Sequence, residues 1–172
     1  VERASSSDLF GLLGLPAQFD VDAAVLERAF HERTKELHPD RFATAPAAER
    51  VAALSRSRAL NDAYQTLKKP VARAEYMLAR AGVTIGDNER LDPAFLMEIL
   101  ELREELADAK VAKRLPEIER LRGAMQARRD AAVGTLPALF ERGALAEIKK
   151  QLMLLRYLDR YLEECDSALD ED

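Results

Sequence analysis

Apolar residues recur at spacings of three and four along most of this chain, the signature of amphipathic helices that each bury one face. Near the start, Asp8 can cap a short helix through Leu9, Phe10, Leu12 and Leu13, which Gly14 and Pro16 end. A second helix begins after Asp20 and sets Val25, Leu26, Ala29, Phe30 and Leu37 on one face. Pro39 stops it, because the residue before a proline is pushed out of the α region, so His38 is expected at the helix exit. After a loop through Thr44 and Pro46, a third helix is expected from Ala47 to Leu67. Pro70, suited to a first helical turn, opens a fourth that ends at Arg80.

The segment Ala81 to Arg90 holds two glycines and an Asp-Asn pair, which is turn chemistry. It divides the chain into a first domain, residues 1–81, a linker, residues 82–91, and a second domain, residues 92–172. Three helices are expected in the second domain. Asp92 caps the first, with Pro93 at its first position, and it reaches Val111. The next begins near Pro116, and Gly134 and Pro137 predict a kink or break within it. The last runs from Ala144 to Ala168.

Two of these three helices are apolar on more than one side. In the first, Phe95, Ile99, Leu102, Leu106 and Ala109 make the core stripe, while Leu96, Met97 and Leu100 point elsewhere, bordered by Glu101 and Glu104. In the last, Ile148, Leu152, Leu155, Leu158 and Leu162 face the core, and Met153, Leu154, Tyr157 and Tyr161 fall outside that arc. The middle helix has one stripe, from Ile118 and Leu121 through Met125 and Ala132 to Leu136 and Leu139. A bundle of these three is not expected to bury the surplus, which therefore packs on the first domain or forms a binding surface. A methionine beside leucines suits an adaptable protein contact, and an acidic rim selects a basic partner.

Composition agrees with an all-α chain: 172 residues, 48% hydrophobic and 33% charged, with only seven Gly, seven Pro and no Trp. The net charge of −5 argues against a nucleic-acid binder. The acidic surplus lies in residues 81–172, since residues 1–80 are close to neutral. No apolar run approaches the roughly 20 residues of a membrane span. Residues 1–7 lack the apolar core of a secretory signal and the Arg/Ser-rich character of a transit leader, so a bacterial cytoplasmic protein is expected. The chain does not begin with Met, and trimming is expected to account for that. One cysteine, Cys165, excludes an intramolecular disulfide framework and any zinc site needing two or more thiolates; a half-buried helix residue is expected there. The two histidines, His31 and His38, make no metal site by themselves, and no nucleophile or paired-carboxylate motif accompanies them. No enzymatic activity, metal or cofactor is expected.

The sharpest local signal is His38-Pro39-Asp40, set where an amphipathic helix must stop and followed by a second long helix. That helix carries Asn61-Asp62-Ala63-Tyr64-Gln65-Thr66-Leu67, and Arg73-Ala74-Glu75-Tyr76 follows. Together these resemble a J-domain, an antiparallel helix hairpin with an HPD turn. The resemblance implies a co-chaperone that docks on a DnaK-class ATPase through His38, Pro39 and Asp40 and stimulates its ATP hydrolysis. Such docking surfaces are basic on the outer side of the second helix. Arg28 and Lys35 lie outside the apolar arc there, and with Arg41 they are the candidate electrostatic contacts. Glu27, Glu32 and Glu36 share the helix and thin the patch, and an ordinary solvated face would show the same pair of cations. Arg33 falls inside the apolar arc, where its stem can pack while the guanidinium reaches water.

A closer resemblance covers residues 8–165. The opening Leu9-Phe10-Gly11-Leu12-Leu13-Gly14-Leu15-Pro16, the run Phe95 to Leu106 and the stretch Leu155-Arg156-Tyr157-Leu158-Asp159 are similar to the HscB family, J-proteins of iron–sulfur cluster biogenesis. That resemblance implies a J-domain set against a three-helix bundle in an L shape. The bundle would bind the cluster scaffold IscU, and the J-domain would deliver the complex to the chaperone HscA. Carried over by position, the apolar scaffold contact falls on Leu96, Met97, Leu100 and Tyr157, where relatives often have Phe, and Glu101 and Glu104 supply polar contacts. The cysteine tetrad by which some eukaryotic members hold zinc is absent from this sequence. The alternative is a general J-domain co-chaperone with a different client.

Overall fold

The structure, a computed structural model, describes residues 8–87 and 89–171. The leader reading of residues 1–7, and Asn88 of the expected turn, lie outside the described residues. Among the described residues every regular element is helical, and the chain divides into two compact units, Val1–Met77 and Leu78–Asp172.

In the first unit, helix α1 spans Leu9–Leu12 and is capped by Asp8, whose carboxylate accepts from the Phe10 N–H. It ends at Gly14, where a φ of +68° favours glycine. The Arg33 guanidinium comes within 2.7 Å of where a Cβ would stand, but its flexible end can move aside, so the positive φ is what selects glycine there. Helix α2, Ala23–Glu36, is capped by Asp22, which accepts from Ala24 N at 2.8 Å, so it starts slightly later than expected after Asp20. Of its expected apolar face Leu26 is buried and Ala29, Phe30 and Leu37 are half-buried, but Val25 is 39% exposed. Val25 stands in the first turn, at the rim of the face.

Helix α3, Ala47–Lys68, and the part of α4, Pro70–Arg80, up to Met77 complete the unit's framework. The core gathers Phe10, Leu13, Leu26, Leu60, Ala63 and Leu67, and Phe30 stacks on Tyr64 with centroids 4.3 Å apart. The Arg73 and Tyr76 side chains fasten this arrangement. Arg73 donates to the Leu67 carbonyl at 2.8 Å, satisfying the end of α3, and lies 4.6 Å over the Phe19 ring. Burial lowers its pKa, with Asp20 opposing that shift. Tyr76 donates to the Asp8 carboxylate and its hydroxyl oxygen accepts from Leu9 N–H, tying α4 to the capping residue of α1.

The second unit contains α5, Pro93–Val111, α6, Leu115–Glu141, and α7, Leu145–Asp170. Asp92 caps α5, accepting from Ala94 N at 3.2 Å. The expected interruption of α6 is corrected: the helix runs unbroken through Gly134 and Pro137. Its apolar stripe explains this, because Ala132, Leu136 and Leu139 are buried around the proline and α6 packs most extensively on α7. Packing outweighs the lost amide donor.

The surplus assigned to α7 is also partly corrected. Tyr161 is buried in the same cluster as Leu106, Ile118, Leu121 and Leu158, and its hydroxyl donates to the Leu102 carbonyl at 3.2 Å. Met153 is buried too, and Leu154 packs against that cluster. Tyrosine can enter the core here because its polar end finds a backbone acceptor. Cys165, expected to be half-buried, is fully buried.

Candidate functional site

Two exposed features stand out, one in each unit. In the first, α2 ends at Glu36 and Pro39–Phe42 forms a single 3₁₀ turn. His38 caps that turn: its Nδ1 accepts from the Asp40 N–H at 3.2 Å. The Arg41 N–H donates to the His38 carbonyl at 3.0 Å. Pro39 fixes one dihedral between them, so the turn is closed by its own residues. As an acceptor, Nδ1 carries no proton, which leaves the ring's donor on Nε2. The Asp40 side chain is 92% exposed, and among the described residues its one titratable neighbour within ion-pair distance is His38, 3.5 Å away. That histidine is uncharged while it caps, so the carboxylate remains available to a cation from outside.

Arg28, Lys35 and Arg41 are all exposed, and among the described residues none has an acidic partner within ion-pair distance. Two of the acids that thin the patch are occupied, Glu27 with His31 and Glu36 with Arg33. The Arg28 Nε donates back to the Ala24 carbonyl at 3.4 Å. The Arg33 guanidinium comes to rest over Gly14, with its side chain 46% exposed.

In the second unit, Met97 and Leu100 are 60% and 61% exposed, on a helix whose opposite side buries Ile99, Leu106 and Ala109. Leu96 beside them is half-buried. Glu101 and Glu104 are exposed on the next turn and have no ion-pair partner among the described residues. An apolar patch rimmed by unpaired carboxylates fits a protein partner with a basic margin. Tyr157 stands on α7, half-buried, and its ring meets that of Phe95 at 6.4 Å and 89°.

Phe95 was expected in the core, and it is half-buried instead. It lies under the Arg128 guanidinium, 5.2 Å from the ring centroid, and Arg128 is paired with Glu98 at 2.5 and 3.1 Å. The Arg128 hydrogen bond holds the Glu98 carboxyl below the ordinary glutamate range. Sequence reading missed Arg128 and Glu98, because a pair 30 residues apart on two helices leaves no local pattern. The only signal was an arginine flanking the single stripe of α6.

Among the described residues no group of three or more His, Cys, Asp or Glu side chains is placed to hold a metal ion, and no helix is long and apolar enough to cross a membrane. A helical hairpin closed by a self-capped His-Pro-Asp turn, joined to a three-helix unit with an exposed apolar face, defines a J-domain co-chaperone. Residues 91–166 match the family described as the HSCB C-terminal oligomerisation domain. The co-chaperone protein HscB homolog of Ralstonia nicotianae is 39% identical over 175 residues, covering 98% of this chain and 99% of that one. Its counterpart in Vibrio campbellii is 50% identical over 101 residues, 58% of this chain and 59% of its own. Chaperone HscB from Vibrio cholerae superposes with a TM-score of 0.83 at 32% identity, covering 95% of this chain and 98% of that one. Human co-chaperone protein HscB gives 0.84 at 28%, covering 93% and 81%. The chain belongs to the HscB family of co-chaperones.

Proposed function

We propose that this co-chaperone is a non-enzymatic adaptor that brings an IscU-type iron–sulfur scaffold to an HscA-type, DnaK-class chaperone and stimulates the chaperone's ATPase. In this reading His38, Pro39 and Asp40 form the chaperone contact, supported electrostatically by Arg28, Lys35 and Arg41. Leu96, Met97, Leu100 and Tyr157 supply the apolar scaffold contact, and Glu101 and Glu104 its polar margin. The observation that carries the reading is the presence on one chain of two separate exposed features, the Asp40 carboxylate and the Met97–Leu100 patch. We place the activity in the bacterial cytoplasm, by analogy with the bacterial relatives.

The two features have different chemistry. A single carboxylate on a closed turn recognises a cation, and its strength depends on how little reorganises on docking. An apolar patch with a methionine accepts a complementary apolar surface, and its acidic rim speeds encounter with a basic partner. The experiment is steady-state ATP turnover by an HscA-type chaperone, with this chain and the scaffold added singly and together. Stimulation that exceeds the sum of the two supports the adaptor. Stimulation indifferent to the scaffold gives a general J-domain co-chaperone with a different client.

A further inference from the structure

We infer that Phe95, clamped by the Arg128–Glu98 ion pair, is a positioning residue that fixes the ring of Tyr157 as part of the scaffold-binding face, an inference that rests on the scaffold reading above. Tyr157 is the one member of that face on α7; the other five residues stand on α5. A half-buried ring on a separate helix has to be held at one orientation, or ordering it on binding subtracts from affinity. The structure supplies the hold in three links. The rings of Phe95 and Tyr157 meet nearly at right angles, 89°, at 6.4 Å, an arrangement their quadrupoles favour. The guanidinium of Arg128 sits 5.2 Å from the Phe95 ring centroid. Its two terminal nitrogens grip the two Glu98 oxygens at 2.5 and 3.1 Å, the fork-to-fork geometry available to arginine and not to lysine.

The geometry closes on itself. Glu98 stands three residues after Phe95, about one helical turn along α5, so Arg128 reaches from α6 across the ring and anchors on the same helix that carries it. Phe95 cannot swing away without breaking the stack on Arg128, and Tyr157 is confined against Phe95. On its own side, Tyr157 has the Arg160 guanidinium 6.0 Å from its centroid. Phe95 thus connects a polar clamp on one side to a recognition side chain on the other.

The test uses the full chain and a calorimetric Kd for an IscU-type scaffold. Phe95→Leu is expected to weaken binding about fivefold and Arg128→Gln about two- to threefold, the range of an aromatic pair and a cation–π contact. Phe95→Tyr, which keeps the ring, stays near wild type. In a Tyr157→Ala background both losses disappear. Equal losses in the two backgrounds would overturn the proposal, because Phe95 would then act independently of Tyr157. A second arm needs no scaffold: tyrosine-labelled protein, its four tyrosines assigned with Tyr157→Phe, is followed by NMR. The Tyr157 ring signals move toward rotamer-averaged positions in Arg128→Gln, whereas unchanged signals contradict the clamp. If instead Met97→Ala and Leu100→Ala leave the wild-type Kd unaltered, the scaffold reading itself fails, and the NMR arm still decides whether the clamp exists.

Discussion

His38 caps the turn that presents Asp40, so in the proposed chaperone contact the histidine sets the shape and the aspartate supplies the charge. The two substitutions should therefore fail alike for different reasons. Asp40→Asn removes the charge while the backbone donation to His38 survives; His38→Gln removes the ring acceptor while the charge survives. Each is expected to abolish stimulation of the chaperone's ATP turnover and leave scaffold affinity and helical circular dichroism unchanged. Persistent stimulation in Asp40→Asn would refute the chaperone contact. A second residue-scale expectation concerns Cys165 and Tyr161, which lie in one core cluster. Burial pushes the Cys165 thiol up to about 11, with Asp166 and Glu164 adding to it, and burial pushes the Tyr161 hydroxyl up to about 12. Because the unfolded chain ionises these groups first, their neutral forms support the fold fully below the ordinary thiol range. That support is lost as pH rises through 11 and 12. Alkaline unfolding followed by circular dichroism should start above about pH 9, and at pH 8 the native thiol should resist iodoacetamide that labels the urea-unfolded chain readily.

Elements were legible in the sequence wherever a cap or a proline marked them. Asp8, Asp92, Pro70 and Pro93 stand at helix starts, and α3, α4 and α5 keep the expected bounds to within a residue. What failed was inference from a single breaker or a single wheel. Pro137 interrupts local hydrogen bonding, but the buried stripe on either side of it is a tertiary term that no local rule contains. Tyr161 fell outside the core arc of α7, yet two neighbouring helices present two directions of burial, and one wheel represents only one. At the sites, the His-Pro-Asp turn and the exposed Met97 and Leu100 could be read directly, whereas the Arg128–Glu98 clamp depends on which helices become neighbours. Because Pro137 is exposed and costs a helix interior about 3 kcal/mol by propensity, Pro137→Ala should stabilise the second unit by about 1–2 kcal/mol after the unfolded-state entropy that proline removes is subtracted. A thermal melt measures this, and a lower midpoint would mean that the proline ring itself contributes packing.

For the molecule as a whole, the separation of recognition features from cores predicts separable damage. Replacing Leu96, Met97 and Tyr157 together by Ala should weaken scaffold binding by roughly 2–5 kcal/mol if they form its hot spot. The thermal midpoint should fall only modestly, since Met97 is mostly exposed and the other two are half-buried. A collapse of the midpoint would reassign them to the core. The acidic margin gives a further expectation: scaffold association should slow with added salt, and Glu101→Gln with Glu104→Gln should remove most of that dependence.

The ion pairs around α6 also bear on which of two mirror-related bundles the chain adopts. Three amphipathic helices can wind around a common core with either hand, and apolar stripes alone barely distinguish the two. Here Glu98 and Glu105, on one flank of α5, meet Arg128 and Arg120 of α6, while Arg103, on the other flank, meets Glu164 of α7. Asp159 and Asp166 of α7 in turn face Arg129 and Arg122. Exchanging the neighbours would turn the arginine flank of α5 toward the arginines of α6, and its glutamate flank toward the aspartates of α7. Each surface pair is weak by itself, but in the opposite winding two of the three seams, α5 with α6 and α5 with α7, would set like charges together, so the same arginine that steadies Phe95 also favours the observed handedness of the bundle.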